Sequence, residues 1–361
     1  MSTDGLCNLN AVDKAHYKKP GVFLKIAYQA FERAEEVANG PVELFYTIGG
    51  YNIRLRFAGS SLVPIITPAL EHLTRSPFKS PALTICLWDS VSTGTTMPSS
   101  PWSQDDYDAR GEVCCYNDGV NYASFNLAAG ALNMLNTEMN LALYWVRDSR
   151  HIPYYESGSP LLRILHWWMS KHGRQVIHAG AVGTAHGGVL LAGRGGSGKS
   201  NTALSCLNSK LLYLSDDYCL LSAEPVPYAY SIYNSGKVDP ASLQRHPYLV
   251  SAIHNSGSLD SEKALFYLHR HYPDNIGTGF PIRAIVLPKI TRVEEPRISK
   301  TSPMTALRAL APSTIFQLPS AGPKAFNVIA EVVKKVPCYT LEIGPDLSRV
   351  PDIILDLLLA G

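Results

Sequence analysis

Several features that would place a protein in a special class are missing from this sequence of 361 residues. No run approaches the roughly 20 apolar residues that a spanning helix needs. The net charge of +2 is too near neutrality for a protein that binds nucleic-acid phosphates. The first residues carry an early acid and no apolar core, so we expect no secretory signal. We therefore expect a cytoplasmic protein with neither a nucleic-acid nor a membrane partner.

The sequence also lacks a recognisable pattern of paired cysteines, because the seven cysteines are irregularly spaced and none of them forms a CxxC motif. Such an odd, scattered set is typical of free thiols in a reducing compartment rather than of disulfides or a zinc site. What is present is ordinary for a globular chain, with 46% apolar and 17% charged residues. A chain of this length can hold two domains with separate cores.

The hydrophobic pattern changes along the chain. From about residue 42 to 147 the apolar runs have strand length, whereas after about 156 they alternate with helical segments. The fold-class prediction is therefore α/β (α+β) with two domains. Residues 1–155 are predicted to form a β-rich accessory or substrate domain, and residues 156–361 a nucleotide-binding and phosphotransfer domain.

Some elements can be predicted individually. The apolar spacing of Val22–Ala38 indicates a helix. Glu112–Tyr116 and Asn121–Phe125 flank the turn dipeptide Asp118-Gly119, which predicts a hairpin. The spacing of Ser348–Leu359 predicts a closing helix that is capped by its first residue.

One stretch carries a specific chemistry, the pattern GxxxxGK[ST] between an apolar strand and a helical segment. Glycines let the backbone curl so that its N–H groups face phosphate oxygens. The lysine adds a cation for the β- and γ-phosphates, and the serine hydroxyl can bind Mg²⁺. The predicted ATP-binding residues are Gly193, Arg194, Gly195, Gly196, Ser197, Gly198, Lys199, Ser200 and Asn201.

Two further features could complete a phosphotransfer site. Asp216-Asp217 follows an apolar run shortly after the loop, where a carboxylate can hold Mg²⁺ and a second one can accept a proton. Close carboxylates resist joint ionisation, which would suit one of them to the role of base. His178 stands before the loop among apolar and small residues. Taken alone it is either a core histidine or a site residue.

The spacing of these features resembles the HPr kinase/phosphorylase family and its related serine kinases. His178 lies 21 residues before Lys199, and Asp216 and Asp217 lie 17 and 18 residues after it, intervals that match the family pattern. The match is specific over about 176–221 and includes the GKSxTAL continuation. Pro312–Leu318 is among the wider segments that look like the same branch. The LExRG segment that follows the aspartates in that family is not found here, which argues against HPr as the substrate.

The resemblance implies a nucleotide domain like that of phosphoenolpyruvate carboxykinase, with ATP and Mg²⁺ as cofactors. It implies catalytic roles for His178, Lys199, Asp216 and Asp217, with Ser200 and Asp217 on the metal and Asp216 favoured as base. The residues themselves leave the assignment of the two aspartates open. Relatives form hexamers, so a homo-oligomer is also implied.

Outside this segment the candidates are weaker. Lys237 and Arg245 are possible contacts to the acceptor or its phosphate, because phosphoryl transfer needs cations around the moving oxygens. His269 and His271 lack a third ligand nearby in the sequence, so zinc is not expected.

Three functions stay open. The first is a serine kinase that acts on a peptide or protein, which includes natural-product precursor peptides. The second is a kinase of a small hydroxyl metabolite. The third is a non-catalytic nucleotide-binding or ATPase switch, although the sequence has neither an LSGGQ nor an NKxD motif.

Overall fold

Helices and strands alternate in a mixed α/β fold with several sheets, as seen in a computed structural model that describes residues 21–318 and 320–360. This confirms the coarse fold-class prediction. The expectation about a secretory signal concerns residues 1–20, which lie outside the described residues. Among the helices of the described residues, none is both long and apolar enough to cross a membrane.

The strands within the described ranges share the usual short lengths. They are β1 (Pro41–Ile48), β2 (Tyr51–Ala58), β3 (Leu83–Asp89), β4 (Asn121–Asn126), β5 (Ala131–Asn136), β6 (Leu141–Val146), β7 (Gln175–His178), β8 (Gly180–Thr184), β9 (Gly187–Leu191), β10 (Leu212–Ser215), β11 (Tyr218–Ser222), β12 (Tyr228–Ser231), β13 (Ser235–Val238), β14 (Ala264–Tyr267), β15 (Gly279–Ile290), β16 (Arg297–Thr301) and β17 (Cys338–Ile343).

The α-helices differ widely in length. They are α1 (Val22–Val37), α2 (Val63–Ile66), α3 (Ser90–Thr93), α4 (Tyr154–Gly158), α5 (Leu162–Lys171), α6 (Lys199–Ser205), α7 (Pro303–Gln317), α8 (Gly322–Lys335) and α9 (Val350–Leu359). Short 3₁₀ turns connect several of these elements.

The chain divides into two compact units. Unit 1 comprises residues 21–67, Thr74–Ser157 and Leu161–Trp168. Unit 2 comprises the short segments Pro68–Leu73 and Gly158–Pro160 together with residues 169–360. The predicted limits of 1–155 and 156–361 stay a prediction, because compactness does not test what each part does.

Unit 1 is built on a six-stranded mixed sheet with the order β1-β2-β3-β6-β5-β4. Its central strands β2, β3 and β6 run parallel, and the outer pairs are antiparallel. Helix α1 buries Phe23, Phe31 and Ala34 in one cluster with Trp88 and Leu143 of the sheet. The apolar face of α1 thus finds a matching surface, which is why its propensity is realised as a helix.

Unit 2 is built on a nine-stranded sheet whose main path is β10-β8-β9-β15-β12-β11-β7, with β17 beside β15 and β16 beside β17. Strand β15 is parallel to both β9 and β17. Strands β13 and β14 form a separate antiparallel pair. Side chains of β9 alternate between two cores, since Val189 belongs to the cluster with α6 and α9, and Leu190 to the cluster with α7 and α8. Strand β9 is therefore buried on both faces.

Several element predictions are confirmed and two are wrong. The helix predicted at Val22–Ala38 is α1, one residue shorter. Glu112–Tyr116 is not a strand, because Asn117 bonds to the Glu112 carboxylate and to the N–H of Ala123, and so shapes a turn. Strand β4 pairs instead with β5. Ser348 does not cap the last helix, since its hydroxyl bonds to Asp346 and the helix begins at Val350.

Candidate functional site

The phosphate-loop sequence forms the connection between the buried strand β9 and helix α6. Three of its glycines, Gly193, Gly196 and Gly198, have positive φ angles of 155°, 77° and 105°. A Cβ at Gly193 would come within 2.4 Å of the Ser197 hydroxyl oxygen, and one at Gly198 within 2.6 Å of Ile343. Glycine is therefore needed at these positions both for the backbone conformation and for the space.

Lys199 is buried and folds back over the loop. Its ammonium group donates to the carbonyl oxygens of Gly193 and Arg194 at 2.7 and 3.3 Å. Burial lowers the pKa of Lys199, while the charges of Asp217 and Asp216 oppose that shift. The cation predicted for phosphate binding thus lies in the field of both predicted acids.

The rest of the loop divides into an exposed crest and a buried base. Arg194, Gly195 and Gly196 are exposed. The Ser197 hydroxyl is buried and has no hydrogen-bond partner within the described residues. Asn201 lies on the first turn of α6, and its side-chain oxygen is 2.9 Å from Nε2 of the buried His246.

The two aspartates occupy the bend between β10 and β11. Ser215 holds the bend, since its hydroxyl donates to Tyr218 O at 2.8 Å and accepts from the Asp217 N–H at 3.1 Å. The two carboxylates consequently enter different surroundings.

Asp216 is almost fully buried, with 2% of its surface exposed. Its Oδ1 lies 2.9 Å from the Tyr213 hydroxyl, and its Oδ2 accepts from the backbone N–H of Lys237 at 3.1 Å. The Ser200 side chain acts to lower the pKa of Asp216. Burial and the negative charge of Asp217 raise the pKa of Asp216, against the opposing effects of Lys237 and Ser200.

Asp217 is more open, with 25% of its side chain exposed. Its Oδ1 lies 3.0 Å from His178 Nε2, and its Oδ2 lies 2.7 Å from the Lys237 ammonium. Burial raises the pKa of Asp217, but the Lys237 charge and the His178 hydrogen bond more than offset it and hold that pKa below its usual range. Asp217 is thus an ionised carboxylate with both oxygens held.

His178 ends strand β7, opposite Tyr218 of β11, and the two rings lie 5.4 Å apart. Its Nε2 faces Asp217, whereas its Nδ1 is buried without a hydrogen-bond partner in the described part of the chain. The imidazole can therefore orient Asp217 while keeping one nitrogen unused.

The structure brings Lys237 into this cluster and leaves Arg245 apart from it. Lys237 lies on β13, and its ammonium also donates to the Ser159 hydroxyl at 3.0 Å. Arg245 ends a 3₁₀ turn and is half buried. Within residues 21–318 and 320–360, no ion pair joins it to the cluster. Its role as an acceptor contact stays a prediction.

Sequence reasoning missed several residues that touch the predicted ones, including Tyr213, Ser159, His246 and Thr314. Ser159, His246 and Thr314 come from segments remote from the loop in sequence, whereas Tyr213 lies only three residues before Asp216, and none of the four belongs to a motif. Tyr213 lies within the matching segment 176–221 and Thr314 within Pro312–Leu318, but nothing in either segment indicates what these two side chains contact.

No protein-family model matches the chain, and neither does any curated protein. Among solved structures, the chain is similar to the Hpr(Ser) kinase/phosphatase from Coxiella burnetii, with 12% sequence identity and a TM-score of 0.29. The superposition covers 52% of this chain and 95% of that one. Such a likeness is distant and says nothing about the activity of this chain.

Proposed function

We propose that this protein transfers the γ-phosphoryl group of Mg-ATP to a hydroxyl group, as a serine kinase acting on a peptide or protein. The observation that carries the proposal is the junction at Ser200. Its hydroxyl, at the end of the phosphate loop, acts to lower the pKa of Asp216, while the neighbouring Asp217 is held by Lys237 and His178. These contacts support a site in unit 2 in which the loop would bind phosphate, Ser200 and Asp216 would bind the metal, and Asp217 would meet the acceptor.

The residues present fit ATP and Mg²⁺. The exposed part of the loop is open, since a Cβ at Gly195 or Gly196 would meet nothing within 4 Å, and the buried Ser197 hydroxyl has no partner among the described residues. The Ser200 hydroxyl and the Asp216 carboxylate are the oxygen ligands that Mg²⁺ prefers. When bound, Mg-ATP would supply the transferable phosphoryl group and neutralise part of its charge.

The surroundings favour a division of labour that reverses the one implied by the family resemblance. Asp216 is buried and its pKa responds to the Ser200 side chain, as expected of the acid that holds a metal next to a phosphate loop. Asp217 is the more exposed of the two and is ionised, so it can meet an acceptor hydroxyl. We therefore propose Ser200 and Asp216 on the metal side and Asp217 as proton acceptor.

A carboxylate with a low pKa is a weak base. In a loose transition state, however, the acceptor hydroxyl keeps its proton until the phosphoryl group has largely moved, so a strong base is not required. Positioning and charge neutralisation matter more. Lys199 and Lys237 supply the positive charges, and His178 fixes the direction of one Asp217 oxygen.

The proposal is tested by incubating the protein with γ-labelled ATP, Mg²⁺ and panels of serine-containing peptides and small hydroxyl metabolites. Lys199→Ala is the inactivating variant. Lys210→Ala is its matched control, because Lys210 is an exposed lysine just before β10. We expect label to appear on a peptide with the wild type and the control, and not with Lys199→Ala.

The alternatives give different results in the same assay. Label on a metabolite alone would indicate a small-molecule kinase. Release of phosphate with no labelled acceptor, unchanged in Asp217→Asn, would indicate an ATPase switch. No ATP binding by the wild type would refute the nucleotide assignment itself.

A further inference from the structure

The last turn of helix α7 contacts two residues that border the acidic cluster of unit 2. The Thr314 hydroxyl oxygen accepts a hydrogen bond from the backbone N–H of His178 at 3.1 Å. The side-chain oxygen of Gln317 accepts one from the Tyr218 hydroxyl at 3.0 Å. Residues three apart lie on the same face of a helix. One face of α7 therefore contacts both His178, which pairs with Asp217, and Tyr218, which follows Asp217 in sequence.

The Thr314 contact has a clear structural cause. Strand β7 is paired with β11 on one side, where His178 lies opposite Tyr218. On its other side the His178 N–H needs an acceptor, and the fully buried Thr314 supplies it. A buried N–H without a partner costs about 1–3 kcal/mol, so this hydroxyl fixes the end of the strand.

The Gln317 contact holds the Tyr218 ring, which lies beside the His178 imidazole. Tyr218 follows Asp217 directly, and its ring lies 5.4 Å from the His178 ring, at an angle of 40°. Holding the Tyr218 hydroxyl keeps this ring beside the imidazole. The main chain of His178 and the wall next to its ring are thus both set from α7, while His178 Nε2 points at Asp217 Oδ1.

We propose that Thr314 and Gln317 are positioning residues of the phosphotransfer site, which act by fixing the hydrogen bond between His178 and Asp217. This gives a physical role to the segment Pro312–Leu318. The inference rests on the proposed function for its kinetic consequence, whereas its structural consequence can be measured without any acceptor.

The first test replaces Thr314 in the full-length protein. Thr314→Val removes the acceptor oxygen and keeps the shape, Thr314→Ser restores a hydroxyl, and Ser313→Ala is the matched control. Ser313 is half buried on the same helical turn, where its hydroxyl donates only to Leu310 O at 3.1 Å among the contacts found within the described ranges. Amide hydrogen exchange of His178 and its imidazole nitrogen shifts are read by NMR without nucleotide.

For Thr314→Val we expect faster amide exchange at His178 by about tenfold, the equivalent of one lost hydrogen bond, together with shifted imidazole signals. We expect kcat to fall by a similar factor with an unchanged KM for ATP. Thr314→Ser should restore both, and Ser313→Ala should change neither. Unchanged imidazole signals and kcat in Thr314→Val would overturn the proposal, as would a lower melting temperature with normal turnover per folded molecule.

The second test is a double-variant cycle of Tyr218→Phe and Gln317→Leu, since both changes remove the same bond. If the two residues act through that bond, the double variant loses no more of kcat than either single variant. Fully additive losses would contradict the Gln317 part. If the wild type transfers no phosphate at all, the proposed function fails, and the NMR readout still decides whether α7 positions His178.

Discussion

Each unit contains a partly buried ion pair of similar length, yet the two acids behave oppositely. In unit 1, Arg56 lies 2.5 Å from Glu35, and in unit 2, Lys237 lies 2.7 Å from Asp217. Burial raises the pKa of Glu35 despite the charge of Arg56. Burial also acts to raise the pKa of Asp217, but Lys237 and His178 overcome it and leave that pKa lowered.

The difference lies in how many donors each acid has. One oxygen of Glu35, Oε1, has no hydrogen-bond partner within the described residues. Both oxygens of Asp217 are engaged, by side chains from β7 and β13. An ion pair as such therefore does not mark a functional site. What distinguishes Asp217 from Glu35 is a second donor and a place in the same unit as the predicted phosphate loop.

The largest effect that separates the two acids should be on phosphoryl transfer. Asp217→Asn removes the proposed proton acceptor, so we expect a loss of about 10²–10⁴-fold in single-turnover transfer with ATP affinity nearly unchanged. Glu35→Gln should leave transfer per folded molecule unchanged. Equal losses in the two variants would erase the functional distinction between the pairs.

A smaller effect is expected on ATP binding, where Lys199 of unit 2 is compared with Arg56 of unit 1. Lys199→Ala removes the only lysine of the loop, and we expect ATP binding to weaken by about 2–5 kcal/mol, measured by calorimetry. Arg56→Ala serves as the control in unit 1, with affinity expressed per folded molecule. If Lys199→Ala binds ATP as the wild type does, the loop is not a nucleotide site.

The order of the two ion pairs should be reversed for stability, so that breaking the pair in unit 1 lowers the free energy of unfolding more than breaking the pair in unit 2. Arg56→Met leaves Glu35 without its cation, and we expect a loss near the lower end of the 3–5 kcal/mol typical of a broken buried pair, about 3 kcal/mol. Lys237→Met should cost less, about 1–2 kcal/mol, because Asp217 is 25% exposed and keeps its contact with His178. Urea denaturation measures both, and a larger loss in Lys237→Met would contradict this ranking.

The smallest effect is a difference in the sign of a pH slope. A raised pKa makes the contribution of Glu35 to stability fall as pH rises from about 4.3, the ordinary Glu value, through the higher folded value. A lowered pKa makes the contribution of Asp217 rise from its low folded pKa up to about 3.9. The free energy of unfolding of the wild type minus that of the variant should therefore fall as pH rises for Glu35→Gln. For Asp217→Asn the same difference should increase as pH rises. Slopes of equal sign would show that the two acids do not differ.

The phosphate loop could be predicted because its chemistry is carried by contiguous backbone. The glycine spacing indicates a curled backbone, and Gly193, Gly196 and Gly198 have positive φ in the structure. The strand before the loop and the helix after it could also be predicted, since β9 is a short apolar run and the segment after the loop has helical spacing.

The acidic cluster could be predicted only as separate candidates. Lys237 is 20 residues or more from either aspartate in sequence, and it reaches them because β13 brings it there. Long-range contacts of this kind leave no local pattern, which is also why Thr314 was missed. Tyr213 is close to Asp216 in sequence, but a tyrosine in an apolar run does not indicate that its hydroxyl meets a carboxylate. Local patterns failed at Glu112–Tyr116 for a related reason, since side-chain hydrogen bonds from Asn117 override strand propensity.

The most direct test of the central claim is the titration of ATP into wild type, Asp216→Asn and Asp217→Asn, each with and without Mg²⁺. Our account predicts that Mg²⁺ strengthens ATP binding to the wild type and to Asp217→Asn, and that this gain is lost in Asp216→Asn, where the proposed metal-binding carboxylate is replaced by a neutral amide. A wild type that does not bind ATP, or a Mg²⁺ gain that disappears only in Asp217→Asn, would contradict it.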